Sequence, residues 1–193
     1  MTLVPGSPVA AWQWVDVALL AVLIPTTTYL LYRHWRLHGS FGRTISHTVA
    51  HDVFSRRVFT AVMLVCFPLY YAAIWLWLAP RQGMPPVFYY LMLVCAASEL
   101  LFVLFPTTDE HEKKHTVFAG FVMLSLPVFA APILGYGITV SAATAWSCWA
   151  FIIASAGIAL LWVLGRLKRG GLFAAECVYC VLFWLMIFCA GHM

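Results

Sequence analysis

Polar residues divide this apolar chain into six long segments. The segments run over roughly residues 14–32, 58–79, 86–105, 116–138, 145–164 and 172–190. Each is close to the roughly 20 residues that a helix needs to cross the hydrocarbon core of a membrane. The pattern therefore predicts an all-α protein, a polytopic transmembrane bundle of six helices that the whole chain, residues 1–193, forms as a single domain.

The five connections between these segments are of two kinds. The second and fourth are short and poor in charge. The first, third and fifth carry ten of the eleven Lys and Arg residues, which are Arg33, Arg36, Arg43, Arg56, Arg57, Lys113, Lys114, Arg166, Lys168 and Arg169. Because connections rich in Lys and Arg stay in the cytoplasm, we expect these three on the cytoplasmic side and both termini on the other side.

Composition supports a membrane protein and excludes other classes. The chain is 64% hydrophobic and 9% charged, whereas a soluble domain carries about 25% charged residues. The net charge of +4 is too small and too dispersed to indicate a nucleic-acid partner. No basic n-region precedes the first apolar segment, so we expect no cleavable signal peptide. The location predicted is a prokaryotic plasma membrane, or an organelle membrane if the source is eukaryotic.

Histidines are spaced for metal binding. Six of the seven form i, i+4 pairs, which are His34/His38, His47/His51 and His111/His115. Such residues share one helix face, so each pair could hold one ion, with zinc or iron as the candidates. The candidate metal ligands are His47, His51, His111 and His115. The first pair, beside basic residues, is interpreted as a contact to lipid headgroups, and the alternative for all three pairs is ordinary interfacial histidine.

The carboxylates Glu99 and Glu176 lie inside predicted spans. Glu99 lies seven residues before Pro106, or about 10 Å below the cytoplasmic surface at 1.5 Å per residue, and Glu176 lies about one turn into the last span. An ionisable group in a span is costly and marks a candidate site. We expect the carboxylates to meet His51 and His115, with Glu99 and His115 as candidate catalytic residues. The alternative is a structural hydrogen-bond cluster that holds four helices together.

The connections add further candidate ligands. The polar stretch 105–115, FPTTDEHEKKH, contains Asp109, which joins His51 and Glu176 as candidate ligand-binding residues. In the first connection, TISHTVAHDVFSRR predicts a short interfacial helix that is capped by Thr44 or Ser46 and runs on into the second span. There Asp52 is spaced to pair with Arg56 on one helix face.

Two stretches resemble the damage-regulated autophagy modulator family. Residues 44–48 (TISHT), followed by residues 57–59 that open a span, look like the family's first loop. Residues 105–106, followed by His115 and the Ala-Gly step at 119–120, are similar to its third loop. Six spans in this length also fit. The resemblance implies a role linked to lipid, as in GPI-anchor lipid remodelling or phospholipid regulation, and a role for His115.

The leading hypothesis is a membrane protein that binds, regulates or remodels lipid through a polar pocket lined by His and Glu at the cytoplasmic leaflet. The first alternative is a metal-dependent intramembrane lipid hydrolase or oxidase that uses the paired histidines. The second is a small transporter coupled to protons or cations through Glu99 and Glu176. The third is a subunit of a larger membrane complex. The partners expected are lipids, with a second copy or another membrane subunit if the protein assembles.

Overall fold

Helices make up every element of the described chain. The computed structural model describes residues 12, 14–41, 44–105, 112–136, 140–167 and 169–192. The helices are α1 Val15–His38, α2 Ile45–Ala50, α3 Val53–Ala73, α4 Ala79–Gln82, α5 Pro86–Leu104, α6 Glu112–Tyr136, α7 Ala142–Val163 and α8 Arg169–His192. A π-helical turn, Ile74–Leu78, joins α3 to α4. The predicted all-α class is therefore confirmed.

Five helical segments are long and apolar enough to cross a membrane. They are Val15–His38, Val53–Gln82, Pro86–Leu104, Ala142–Val163 and Gly171–His192. These correspond to the first, second, third, fifth and sixth predicted spans, so the chain is a multi-pass membrane protein. The fourth predicted span corresponds to α6. Several α6 side chains lie outside the described residues, and its crossing of the bilayer stays a prediction.

Long helices pack in the order of the chain. Helix α1 packs on α3, α3 on α5, α5 on α6, α6 on α7 and α7 on α8. The interior is rich in aromatic side chains, such as Phe88, which packs edge-on against Phe129, and Phe151, which packs against Phe183. Large apolar side chains also point outward, including Trp146 and Val163. Exposed apolar surface on this scale is expected where lipid tails, and not water, surround a bundle.

The first connection folds differently from its prediction in two respects. Thr44 caps α2 as expected, since its side chain accepts a hydrogen bond from the His47 amide. However, α2 does not run on into α3, because Asp52 is extended and its side chain caps the new helix at the Ser55 amide. The prediction that Asp52 pairs with Arg56 is also wrong. The Asp52 carboxylate instead bonds to Arg33 of α1 at 2.9 Å.

Candidate functional site

Basic connections meet at one end of the bundle, which we call the basic end. It comprises α2, the last turns of α1, α5 and α7, and the first turns of α3, α6 and α8. Contacts between these parts include Arg33 with Asp52 and Ser46 with His115. Arg81 lies in α4 at the other end, which we call the opposite end. Five of the described histidines, 34, 38, 47, 51 and 115, lie at the basic end, while His192 lies at the opposite end.

Helix α2 is fixed at its N-terminus by two side chains. The first amides of a helix have no partner within the helix. Glu176 of α8 accepts hydrogen bonds from the amides of Ile45 and Ser46, and the Thr44 hydroxyl accepts one from the next amide. The predicted ligand-binding residue Glu176 is therefore an inter-helix cap in this structure.

A directed chain of hydrogen bonds joins α2 to the start of α6. The Nδ1 atom of His115 lies 2.8 Å from the Phe105 carbonyl, and Nε2 lies 3.1 Å from the Ser46 hydroxyl. A carbonyl only accepts, so Nδ1 carries the proton, and Nε2 of the neutral ring accepts from Ser46. Thr44 then donates to Ser46 at 3.0 Å. A neutral imidazole has one donor and one acceptor nitrogen, which matches this chain.

A small cavity lies beside this chain. Its volume is about 20 Å³, which is room for about one water molecule. Its lining residues come from α2, α3, α5 and α6 and are Ser46, Val49, Ala50, Arg56, Phe59, Thr60, Phe102, Val103 and His115. A space this small does not hold a lipid headgroup.

The candidate catalytic residue Glu99 is buried in α5. It acts electrostatically on Tyr70, Tyr71 and Tyr179. Among the described atoms, neither the Tyr71 hydroxyl nor Oε2 of Glu99 reaches hydrogen-bond geometry. Glu99 thus belongs to an aromatic cluster in the bundle interior, and the structure does not bring it together with His51.

Three histidines from two separate segments meet at the basic end. His34 and His38 come from the last turns of α1, and His51 comes from the break between α2 and α3. One ring nitrogen of each lies within 4.8 Å of the others. His34 is buried, whereas His38 and His51 are exposed. We call His34, His38 and His51 the histidine triad.

An ionic clamp holds these two segments together. Arg33 donates to the Asp52 carboxylate at 2.9 Å and to the Ser55 hydroxyl at 3.1 Å. Ser55 donates twice to Asp52, from its amide and its hydroxyl. Burial alone would raise the pKa of the Asp52 carboxyl, but the bonds from Ser55 and the Arg33 charge hold that pKa well below its usual range. Asp52 is therefore ionised at neutral pH.

The remaining predicted site residues fall in two groups. Asp109 and His111 lie outside the described residues. His47 lies on α2 and acts electrostatically on both His34 and His115, but it is not a member of the histidine triad. The sequence pattern paired His51 with His47, whereas the structure groups it with His34 and His38.

A second polar cluster, at the opposite end, was not anticipated from the sequence. Asp16 of α1 is buried and pairs with His192 of α8 at 3.1 Å. Gln82 donates to the Ala190 carbonyl and Thr144 to the Cys189 carbonyl. Because the last carbonyls of a helix lack partners within it, these contacts cap α8. An acidic residue at the very start of an apolar span was the available signal.

The class that this fold defines is an α-helical multi-pass membrane protein with polar clusters at both ends. Comparisons of the chain with protein-family models, with curated proteins and with solved structures each found no match.

Proposed function

We propose that this protein interacts with anionic lipid headgroups at its basic end, and that this end faces the cytoplasmic leaflet. One observation carries the proposal. Ten of the eleven Lys and Arg residues lie in the three connections of that end. A basic residue near an anionic leaflet contributes about 1 kcal/mol of attraction, so several together give a strong preference for one leaflet and for anionic lipid.

Exposure of these cations supports the proposal. Arg36, Arg57 and Arg166 are exposed and come from α1, α3 and the connection after α7. Lys113 and Lys114 are also exposed, and the Lys114 ammonium group lies 5.1 Å from the centre of the Phe105 ring. Cations on four different elements form a broad surface, which suits the headgroups of several lipids better than a single enclosed ligand.

Aromatic side chains at the same end support contact with a membrane interface. Tyr32, Trp35 and Phe41 are all exposed and lie near the end of α1. Tyr and Trp are enriched where membrane meets water, because their rings are apolar while their polar atoms can stay hydrated. The end of α1 therefore has both the apolar and the cationic groups that headgroup contact requires.

In this proposal, polar residues that bond between helices position the surface that contacts lipid. His115 and Glu176 hold α2 across the end of the bundle. Arg33 and Asp52 hold the ends of α1 and α3 together. We further propose that the protein regulates or remodels lipid, on the basis of its resemblance to the damage-regulated autophagy modulator family. We propose membership of that family on the loop patterns at residues 44–48 and 105–106.

The proposed topology has six spans, with α6 as the fourth. Helix α6 has 25 residues, which is enough to cross a bilayer. It packs between α5 and α7. An even number of crossings leaves both termini on one side, and the basic connections make that side non-cytoplasmic.

Lipid retention by the purified protein tests the proposal. Native mass spectrometry compares bound phosphatidylglycerol with bound phosphatidylcholine, before and after the triple substitution Arg36→Gln, Arg57→Gln and Arg166→Gln. At about 1 kcal/mol per charge, phosphatidylglycerol binding falls on the order of 100-fold, while phosphatidylcholine binding is unchanged.

A control at the opposite end makes the result specific. Arg81 is exposed and lies in α4 at the opposite end of the bundle. The substitution Arg81→Gln is expected to leave phosphatidylglycerol binding near the wild-type level. Equal binding of both lipids by the wild type would overturn the proposal, and so would a loss with Arg81→Gln as large as the loss with the triple substitution.

A further inference from the structure

We propose that the histidine triad, His34, His38 and His51, is a binding site for a divalent transition metal, with zinc as the ion. The three rings are packed against one another. Their centres are 4.5 Å apart for His34 and His38, 5.1 Å for His34 and His51, and 4.4 Å for His38 and His51. Imidazole is a preferred ligand for zinc.

Distances between the ring nitrogens suit one shared ion after small adjustments. One nitrogen of each ring lies within 4.8 Å of the other two. Around a tetrahedral zinc with bonds of about 2.0–2.1 Å, ligand nitrogens lie about 3.4 Å apart. Bringing the ring nitrogens to this separation requires side-chain shifts of about 1 Å. Because His38 and His51 are exposed, their side chains can make this shift without disturbing the core.

Burial of His34 gives an independent reason for a ligand. His34 is 3% exposed, and its Nδ1 atom is buried with no hydrogen-bond partner among the described atoms. A buried polar atom left without a partner destabilises the folded protein. A metal bound through this nitrogen, with His38 and His51 as further ligands, would give it a partner.

Charges near the triad act on His34 in opposite directions. Burial and the neighbouring His38 and His51 rings disfavour positive charge at His34, whereas Asp52 favours it. Protonating several adjacent rings would be opposed by their mutual repulsion, but a single metal ion places its charge between them. The clamp of Arg33 and Asp52 fixes the two segments from which the rings come. The site is therefore held by groups that are not themselves ligands.

The triad also leaves the ion partly open. Three protein ligands leave at least one coordination position for water or another oxygen ligand in a tetrahedral zinc site. That position opens toward solvent at the basic end, since His38 and His51 are exposed. A lipid phosphate and inorganic phosphate share the oxygen chemistry that could occupy it.

Metal titration of the full chain tests the site. The protein is purified in detergent, stripped with a chelator and titrated with Zn²⁺ alone, and bound zinc is measured by elemental analysis. We expect one zinc per chain and a rise in the thermal unfolding temperature on binding. His38→Ala and His51→Ala should each weaken zinc binding by at least about 100-fold, since even outer residues of metal sites contribute 10–100-fold.

The variant His47→Ala distinguishes the histidine triad from the site that the sequence predicts, in which His47 and His51 bind the ion together. It should retain zinc at the wild-type level. Loss of zinc in His47→Ala together with retention in His38→Ala would overturn the assignment of the zinc site to the histidine triad. Wild-type protein that does not saturate with zinc would overturn it as well.

Cobalt and a cysteine substitution supply a second readout. Co²⁺ should occupy the same site and absorb visible light, and His38→Cys should restore binding with a new sulfur-to-cobalt band in the near ultraviolet. A wild-type spectrum identical to that of His38→Ala would contradict the proposal. The site does not rest on the lipid proposal, because zinc binding is measured in detergent without added lipid.

Discussion

The two ends of the bundle use polar residues in different ways. At the opposite end, Asp16, Gln82 and Thr144 turn inward and bind the last turn of α8. At the basic end, α2 is held from inside by His115 and Glu176, while cations and two histidines of the triad face outward. Polar groups at the opposite end therefore hold helices together, whereas several polar groups at the basic end are exposed and available to bind a ligand.

We therefore expect substitutions at the two ends to affect different properties, the stability of the fold at the opposite end and binding at the basic end. Substitutions at the opposite end should mainly change the free energy of unfolding, because the groups there are buried and contact one another. Substitutions of exposed groups at the basic end should mainly change binding, because surface changes usually alter stability by no more than about 0.5 kcal/mol. Substitutions of Gly191 and of Asp52 sharpen this comparison.

The largest effect on stability is expected for Gly191→Ala at the opposite end. A Cβ atom at this position would lie within 3 Å of two ring atoms of Trp77, which is buried. Overpacking of this kind costs about 1–3 kcal/mol. Thermal unfolding in detergent should therefore show a lower midpoint than that of the wild type.

Gly157→Ala is the matched control for this substitution. Gly157 also lies inside a long helix, but a Cβ atom there meets nothing within 4 Å. Alanine favours helix over glycine by up to about 1 kcal/mol, so this variant should be as stable as the wild type or more so. Equal destabilisation by both substitutions would show that close packing at Trp77 is not the cause.

A smaller effect is expected for Asp52 at the basic end. Asp52→Ala removes the cap of α3, which typically contributes about 1 kcal/mol, together with the ion pair to Arg33. Asp52→Asn keeps a side chain that caps helices well and removes only the charge. Unfolding free energies at neutral pH should thus rank wild type above Asp52→Asn, and Asp52→Asn above Asp52→Ala.

Low pH separates the charge of Asp52 from its capping role. The pKa of Asp52 is lower in the folded protein than in the unfolded chain. Its charge therefore stabilises the fold above about pH 4, the ordinary carboxyl pKa, and this contribution is lost as the pH falls toward the folded pKa. The difference between wild type and Asp52→Asn should shrink as the pH drops below 4. A difference that does not change with pH would exclude the charge as its origin.

Much of the fold could be predicted from the apolar pattern. Runs of about 20 apolar residues place five of the helices, because few other structures satisfy the backbone in a bilayer. Thr44 was recognisable as a cap because its hydroxyl can accept from the third amide of the helix. The break at Asp52 was missed because the periodicity of 44–57 continues through it, although Asp52 is itself a good capping residue.

Contacts between helices could not be predicted in the same way. Spacing along one helix paired His47 with His51, but the partner of His51 in space is α1, which the Arg33–Asp52 pair brings close. Glu99 was expected to meet His51 and His115 because both lie near the starts of predicted spans, yet its surroundings are tyrosines from α3 and α8. These contacts depend on how helices pack, and the spacing of residues along one helix does not reveal that packing.

Sidedness of the two ends is tested most directly by cysteine labelling. Ser40 lies after α1 at the basic end, and Val140 lies before α7 at the opposite end; both are exposed. Ser40→Cys and Val140→Cys are expressed in a bacterial host and treated with a membrane-impermeant maleimide from outside the spheroplast, with the unsubstituted protein measuring labelling of its own six cysteines. Val140→Cys should be labelled at once, and Ser40→Cys only after the membrane is permeabilised. Labelling of Ser40→Cys in intact spheroplasts would contradict a basic end that faces the cytoplasmic leaflet.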